Sequence, residues 1–124
     1  MGGQVYLLGY AAPDAAEQLE QWMADASVVL VDIRLAARSR WLRQWNKGWL
    51  VRQWGDRYVH ESRLGNLNYR DRSQPIKIRD LLGGLATVTD LLSQGRSVVL
   101  LCACMDESHC HRRVVADALA SLET

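Results

Sequence analysis

Ser97 to Arg113 reads SVVLLCACMDESHCHRR. An apolar run from Val98 to Cys104 carries no polar alternation, the pattern of a strand buried on both faces rather than one lying half in solvent. Ser27 to Arg34, SVVLVDIR, repeats the pattern and also ends in reactive or charged residues. Helical patterns lie between and beyond these two runs. Pro13 and Asp14 open a segment with Leu19, Trp22 and Met23 at helical spacing. Residues 78–95, IRDLLGGLATVTDLLSQG, form a second, with Gly95 as its stop and Gly83 and Gly84 weakening it. Cys110 onward, CHRRVVADALASL, forms a third, with Val114, Val115, Ala118, Leu119 and Leu122 on one stripe. A first strand is expected over Val5–Leu8, a short helix capped by Asn46 in NKGWLVRQW, a short strand in RYVH, and loop from Leu64 to Gln74. The expected fold is α/β: a single small domain over 1–124, with a mostly parallel sheet and flanking helices.

The chain has 124 residues, 48% of them apolar, with two prolines and no low-complexity stretch, which suits one ordinary core. The apolar runs are too short to cross a membrane, and the N-terminus lacks the basic start and cleavage pattern of a signal peptide. Three cysteines within nine positions, an odd number, do not make a secreted disulfide framework. A reducing, cytoplasmic setting is expected. Net charge is +1, but it is unevenly placed. Arg34 to Arg79 holds twelve Lys or Arg against three acids, while the flanks are acidic. Four of the five tryptophans (Trp41, Trp45, Trp49, Trp54) and two tyrosines (Tyr58, Tyr69) lie in this basic middle. Arg43, Lys47, Arg52 and Trp49 there have the cationic and aromatic chemistry that phosphates and stacked bases need. The competing reading makes the tryptophans core and the arginines a solvated face.

In open parallel sheets, ligands bind beyond the carboxyl ends of the strands. Those ends carry Gly9 and Tyr10, then Asp32 and Arg34, then Cys102. Cys110, His111 and Arg112 open the last helix, whose N-terminus favours anions and thiolates. Cys110 is thus a candidate thiolate and Arg112 a candidate phosphate or carboxylate clamp. Cys102, leaving an apolar strand, is expected to be buried with its thiol kept neutral. Asp32 with Arg34 is either an ion pair holding a loop or an acid/base beside an anion anchor. Ser39 and Arg40 follow, and His60 is either a satisfied loop histidine or a site residue. Cys102, Cys104, His109, Cys110 and His111 supply soft ligands, but their spacing is not a paired zinc motif, and neither a metal nor another cofactor is expected. A phosphatase-type loop fails as well. Six positions after Cys102 and Cys104 stand Ser108 and Cys110 rather than arginine.

Val31-Asp32-Ile33-Arg34 with Ser39-Arg40, Tyr58-Val59-His60 with Leu64-Gly65, and Leu100-Leu101-Cys102-Ala103 with Cys110-His111-Arg112 together resemble the domain of unknown function 488 family. The resemblance runs from about Val5 to Leu122. It implies a small α/β fold in a bacterial or archaeal cytosol and brings no established reaction. Three departures mark this chain: Cys104 replaces an acid usual two positions after the first cysteine, Asn66 replaces a second glycine, and a proline between the Asp-x-Arg and Ser-Arg pairs is missing.

The leading expectation is an enzyme-like domain acting on, or binding, a nucleotide or nucleic acid. Its catalytic candidates are Cys110, His111, Asp32 and Cys102, and its substrate-binding candidates Arg34, Ser39, Arg40, His60 and Arg112. The alternatives are a non-catalytic nucleic-acid or protein-binding module, and a thiol or metal sensor. No membrane partner is expected.

Overall fold

A computed structural model describes residues 3–39, 41–71, 73–103 and 111–123. Among these residues, four strands, β1 (Val5–Gly9), β2 (Val29–Asp32), β3 (Tyr58–His60) and β4 (Val98–Cys102), pair in the order β1-β4-β2-β3. Every pairing is parallel, with Leu7 opposite Leu100, Val31 opposite Leu100, and Asp32 opposite His60. Four α-helices flank the sheet: α1 (Ala15–Met23), α2 (Lys47–Trp54), α3 (Leu81–Ser93) and α4 (His111–Glu123).

Alternation along each strand sorts the core into two halves. Val29, Val31, Val98, Leu100 and Cys102 pack with Leu85, Val88 and Leu92 of α3 and Val115 and Leu119 of α4. Leu30, Val99 and Leu101 face the other way, onto Leu19 and Met23 of α1, Leu50 of α2, and Trp45. That two-sided burial is why both runs lack polar alternation. The topology follows from the handedness of parallel crossovers. The chain advances across the sheet from β1 to β2 and β3 through α1 and α2 on one face, then returns from β3 to β4 through α3 on the other. After β1 and β2 it therefore leaves toward one face, and after β4 toward the other. A crevice opens where these exits diverge.

Several local expectations need correction. The α4 stripe is narrower than read: Val115 and Leu119 are buried, but Val114 and Leu122 are exposed, at 37% and 60%. The buried position one turn earlier is Arg112, at 4%, so the inward stripe is Arg112, Val115, Leu119. Asn46 precedes α2 but makes no side-chain cap to it; its Oδ1 accepts from Ser39 N–H instead. The stop at Gly95 is as expected, with φ of 80° beyond the end of α3. The segment after Leu64 is mainly loop, with a single antiparallel bridge between Asn66 and Ile78. The expected start of the last helix, near Ser108 to Cys110, lies outside the described residues.

Candidate functional site at the strand ends

Asp32 and Arg34 stand two apart at the end of β2, so their side chains share one face of the sheet. Arg34 donates from Nε to Asp32 Oδ1 (2.8 Å) and from Nη2 to Oδ2 (2.6 Å), a two-pronged pair. Nη2 also donates to the Trp45 carbonyl (2.6 Å). Tyr58 O–H donates to Asp32 Oδ2 (2.6 Å). Asp32 is fully buried and Arg34 is 5% exposed. Burial works against the Arg34 charge, but the hydrogen bond and charge of Asp32 outweigh it and hold the guanidinium more firmly protonated than usual. Burial, then the Asp32 charge, pushes the Tyr58 hydroxyl far up, so it remains a donor. With its oxygens occupied in this way, Asp32 serves as an anchor. The ion-pair reading of Asp32 and Arg34 describes the geometry.

The anchoring leaves one group over. Among the described residues, Arg34 Nη1 is buried with no hydrogen-bond partner. Arg34 forms part of the wall of a pocket of about 680 Å³ at the carboxyl ends of the strands. Tyr10 after β1, Ala103 after β4 and His111 at the start of α4 contribute to the same wall. The Tyr10 ring lies beneath the Arg34 guanidinium, 5.3 Å from centroid to Cζ, and stacks on Trp45 at 5.5 Å. The loop between β3 and α3 lines the same pocket, with Asn66, Asn68, Tyr69, Asp71 and Gln74.

Two histidines brace the end of β2. His111 Nε2 lies 2.8 Å from the Ile33 carbonyl, and His60 Nε2 lies 2.8 Å from the Arg34 carbonyl. A carbonyl only accepts, so each Nε2 carries the proton and donates. His111 is buried at the pocket wall, whereas His60 holds the backbone behind Arg34. Ser39 Oγ accepts from Leu42 N–H (3.2 Å), a local turn contact outside the pocket lining. Cys102 is buried, and Arg112 Nη1 donates to its Sγ at 2.9 Å. Cys102 is buried as expected, and its contact with this guanidinium comes from the start of α4. Arg112 is on Cys102 and is not among the residues that line the pocket. Arg40, Cys104, His109 and Cys110 lie outside the described residues. Among the described residues no group of three His, Cys, Asp or Glu could hold a metal ion.

The basic middle divides. Trp45 is core at 4% exposed, Trp54 is half-buried, and Trp41 and Trp49 are exposed. On α2, the Arg52 guanidinium lies over the Trp49 ring, 5.6 Å from its centroid, and Lys47 is exposed on the same helix. Arg43, just before it, is exposed too.

A further cluster, missed in the sequence, fastens the loop after β3. Glu61 accepts from Arg63 Nε (2.7 Å), Arg63 Nη2 (2.8 Å) and Thr87 Oγ1 (2.7 Å). The Arg63 hydrogen bonds, aided by Thr87 and opposed by burial, hold the Glu61 carboxyl below its ordinary value of 4.5. Because the folded value is the lower one, the contribution of Glu61 is complete above about pH 4.5 and is lost as pH falls through the folded value. Urea unfolding midpoints measured on the acid side should therefore fall less steeply for Glu61→Gln than for the parent. Parallel acid limbs would show that Glu61 is not linked to folding.

The fold and site thus define a doubly wound α/β domain with a pocket at the switch between crossover faces. Residues 35–123 match a family model described as the active DUF488-N3 subclade. The chain belongs to the domain of unknown function 488 family, as the Cys102 to Arg112 pattern suggested. The matched region begins just after Arg34, so β1, α1 and the Asp32–Arg34 pair precede it. No curated protein and no solved structure matched the chain. Among the described residues, no helix is long and apolar enough to cross a membrane.

Proposed function

We propose that this chain is an enzyme-like domain that takes a nucleotide, or the end of a nucleic acid, by its phosphate in the pocket at the strand ends. The observation that carries the reading is Arg34. Its charge is fixed, its orientation is set by Asp32 and Trp45, its Nη1 is buried without a partner, and the residue is part of the pocket lining. Leaving a buried donor unmade costs about 1–3 kcal/mol, more when it is charged. An anion oxygen would remove that cost and meet a charge-assisted donor. His111, in the first turn of α4 as described, is part of the same pocket lining. Arg38, exposed at the rim, supplies a mobile charge.

Calorimetric titration of inorganic phosphate tests the proposal. Arg34→Lys keeps a cation beside Asp32 but removes Nη1, so affinity should fall roughly ten-fold or more, since lysine cannot reproduce the guanidinium fork. Equal affinities would sink the reading. A second reading, a nucleic-acid-binding module using the α2 face, is favoured by the exposed Trp49 with Arg52 over its ring. It alone expects oligonucleotide binding that Trp49→Ala abolishes and Arg34→Lys leaves unchanged.

A further inference from the structure

We propose that the pocket wall formed by the loop between β3 and α3 is a nucleobase subsite, and that the ligand is a nucleoside phosphate whose base bears an exocyclic amino group. This rests on the phosphate reading of Arg34 and names the rest of the molecule that Arg34 would hold.

Two amides on that wall are oriented by the loop itself. Asn66 Oδ1 accepts from Asn68 N–H and from Lys77 N–H, both at 3.0 Å. Only the oxygen of an amide can accept, so Nδ2 of Asn66 is left as a donor. Asn68 Nδ2 donates to the Pro75 carbonyl at 2.8 Å. That bond requires the nitrogen, so Oδ1 of Asn68 is left as an acceptor. Asp71 Oδ1 accepts from Ser73 N–H (3.0 Å) and Ser73 O–H (2.6 Å), and the carboxylate adds acceptor character to this wall. The Ser73 hydrogen bonds hold the Asp71 carboxyl below its ordinary range, so it is an anion near neutrality. Beside these groups lies Tyr69, 44% exposed, with the Arg70 guanidinium 5.4 Å from its ring centroid and Arg70 Nε donating to its hydroxyl (2.9 Å).

Arg34 and Arg38 bring positive charge to the pocket lining, and Asp71 brings negative charge to it. What the loop offers is an aromatic surface, one fixed donor and a surplus of acceptors. A planar base fits that set, and the surplus of acceptors calls for a base that donates from an amino group. A pocket of about 680 Å³ lies within the usual range of roughly 300–1,000 Å³ for small-ligand sites.

Calorimetric titration of the whole chain with ribose 5-phosphate, AMP, GMP, CMP and UMP tests this. Stacking and base hydrogen bonds should make at least one amino-bearing nucleotide bind roughly ten-fold or more tightly than ribose 5-phosphate, with UMP weaker than that nucleotide. Asn68→Ala and Tyr69→Ala, changes at the loop surface, should remove this advantage and leave ribose 5-phosphate affinity unchanged. If ribose 5-phosphate binds through Arg34 as tightly as every nucleotide, the base subsite is wrong and the phosphate reading stands. If UMP matches the best amino-bearing nucleotide, the amino assignment is overturned. If nucleosides bind, and adding a phosphate to them gains nothing, the subsite stands and the phosphate reading falls.

Discussion

Replacing Asp32 with alanine should lower the free energy of unfolding by about 3–5 kcal/mol, the usual cost of removing one partner from a buried ion pair. Asp32 is fully buried, and the change strands two groups at once. The Arg34 guanidinium, 5% exposed, loses both prongs of its carboxylate, and the Tyr58 hydroxyl loses its acceptor. Native domains keep only about 5–15 kcal/mol in total, so the urea midpoint should drop sharply. A loss under about 1 kcal/mol would place the pair with ordinary surface salt bridges. The double change Asp32→Leu with Arg34→Met removes both charges together. It should recover much of the stability, since apolar replacements of buried pairs are often neutral or better, and should still bind no phosphate. That separation of folding from binding is what a pair retained for its orphan Nη1 requires.

Gly65→Ala should be the most damaging single-methyl change near the site. A Cβ at Gly65 would stand 2.6 Å from both Cα and N of Leu35, backbone atoms that cannot swing aside. The φ of −73° at Gly65 suits any residue, so the requirement is one of space. Overpacking typically costs about 1–3 kcal/mol, sometimes more, and here the pressure falls on the residue following Arg34. Gly48→Ala in α2 is the matched control: its Cβ meets nothing within 4 Å. It should be neutral or stabilising by about 0.5–1 kcal/mol, as expected for a helical glycine. Thermal unfolding of the two variants reads both signs. Gly65→Ala as stable as Gly48→Ala would mean that the Leu35 segment moves freely, and the pre-ordered Arg34 would lose its support.

The sheet was legible because burial on both faces removes polar residues from every position of a strand, and residues 28–31 and 98–101 show this without ambiguity. The strand ends were legible for a related reason: charge and sulfur begin where the two-sided core stops, at Asp32 and Cys102. Function-bearing geometry was less so. Asp32 and Arg34 are two apart in any strand, but that they bind one another, and leave Nη1 over, depends on the Trp45 carbonyl and the Tyr58 hydroxyl from distant segments. Trp45 and Trp49 have the same composition around them, yet one is core and the other exposed, because the short 3₁₀ turn at Arg43–Trp45 and the helix after it present different faces. The α4 stripe misled because Arg112 is buried by pairing with Cys102, and a hydrophobic pattern does not register a buried cation. The pocket lining between β3 and α3 was read simply as loop. Its cue was the run of Asn66, Asn68 and Tyr69, whose two amides are oriented only when Pro75 and Lys77 fold back beside them.

The central claim is that the buried guanidinium of Arg34 receives the phosphate. A crystal structure of the chain grown or soaked with ribose 5-phosphate tests it most directly. The phosphate is expected in the strand-end pocket, one oxygen about 2.7–2.9 Å from Arg34 Nη1, the ordinary length of a charge-assisted bond, with the Asp32–Arg34 pair undisturbed. Phosphate held on the α2 face by Lys47 and Arg52, with only water at Nη1, would contradict it.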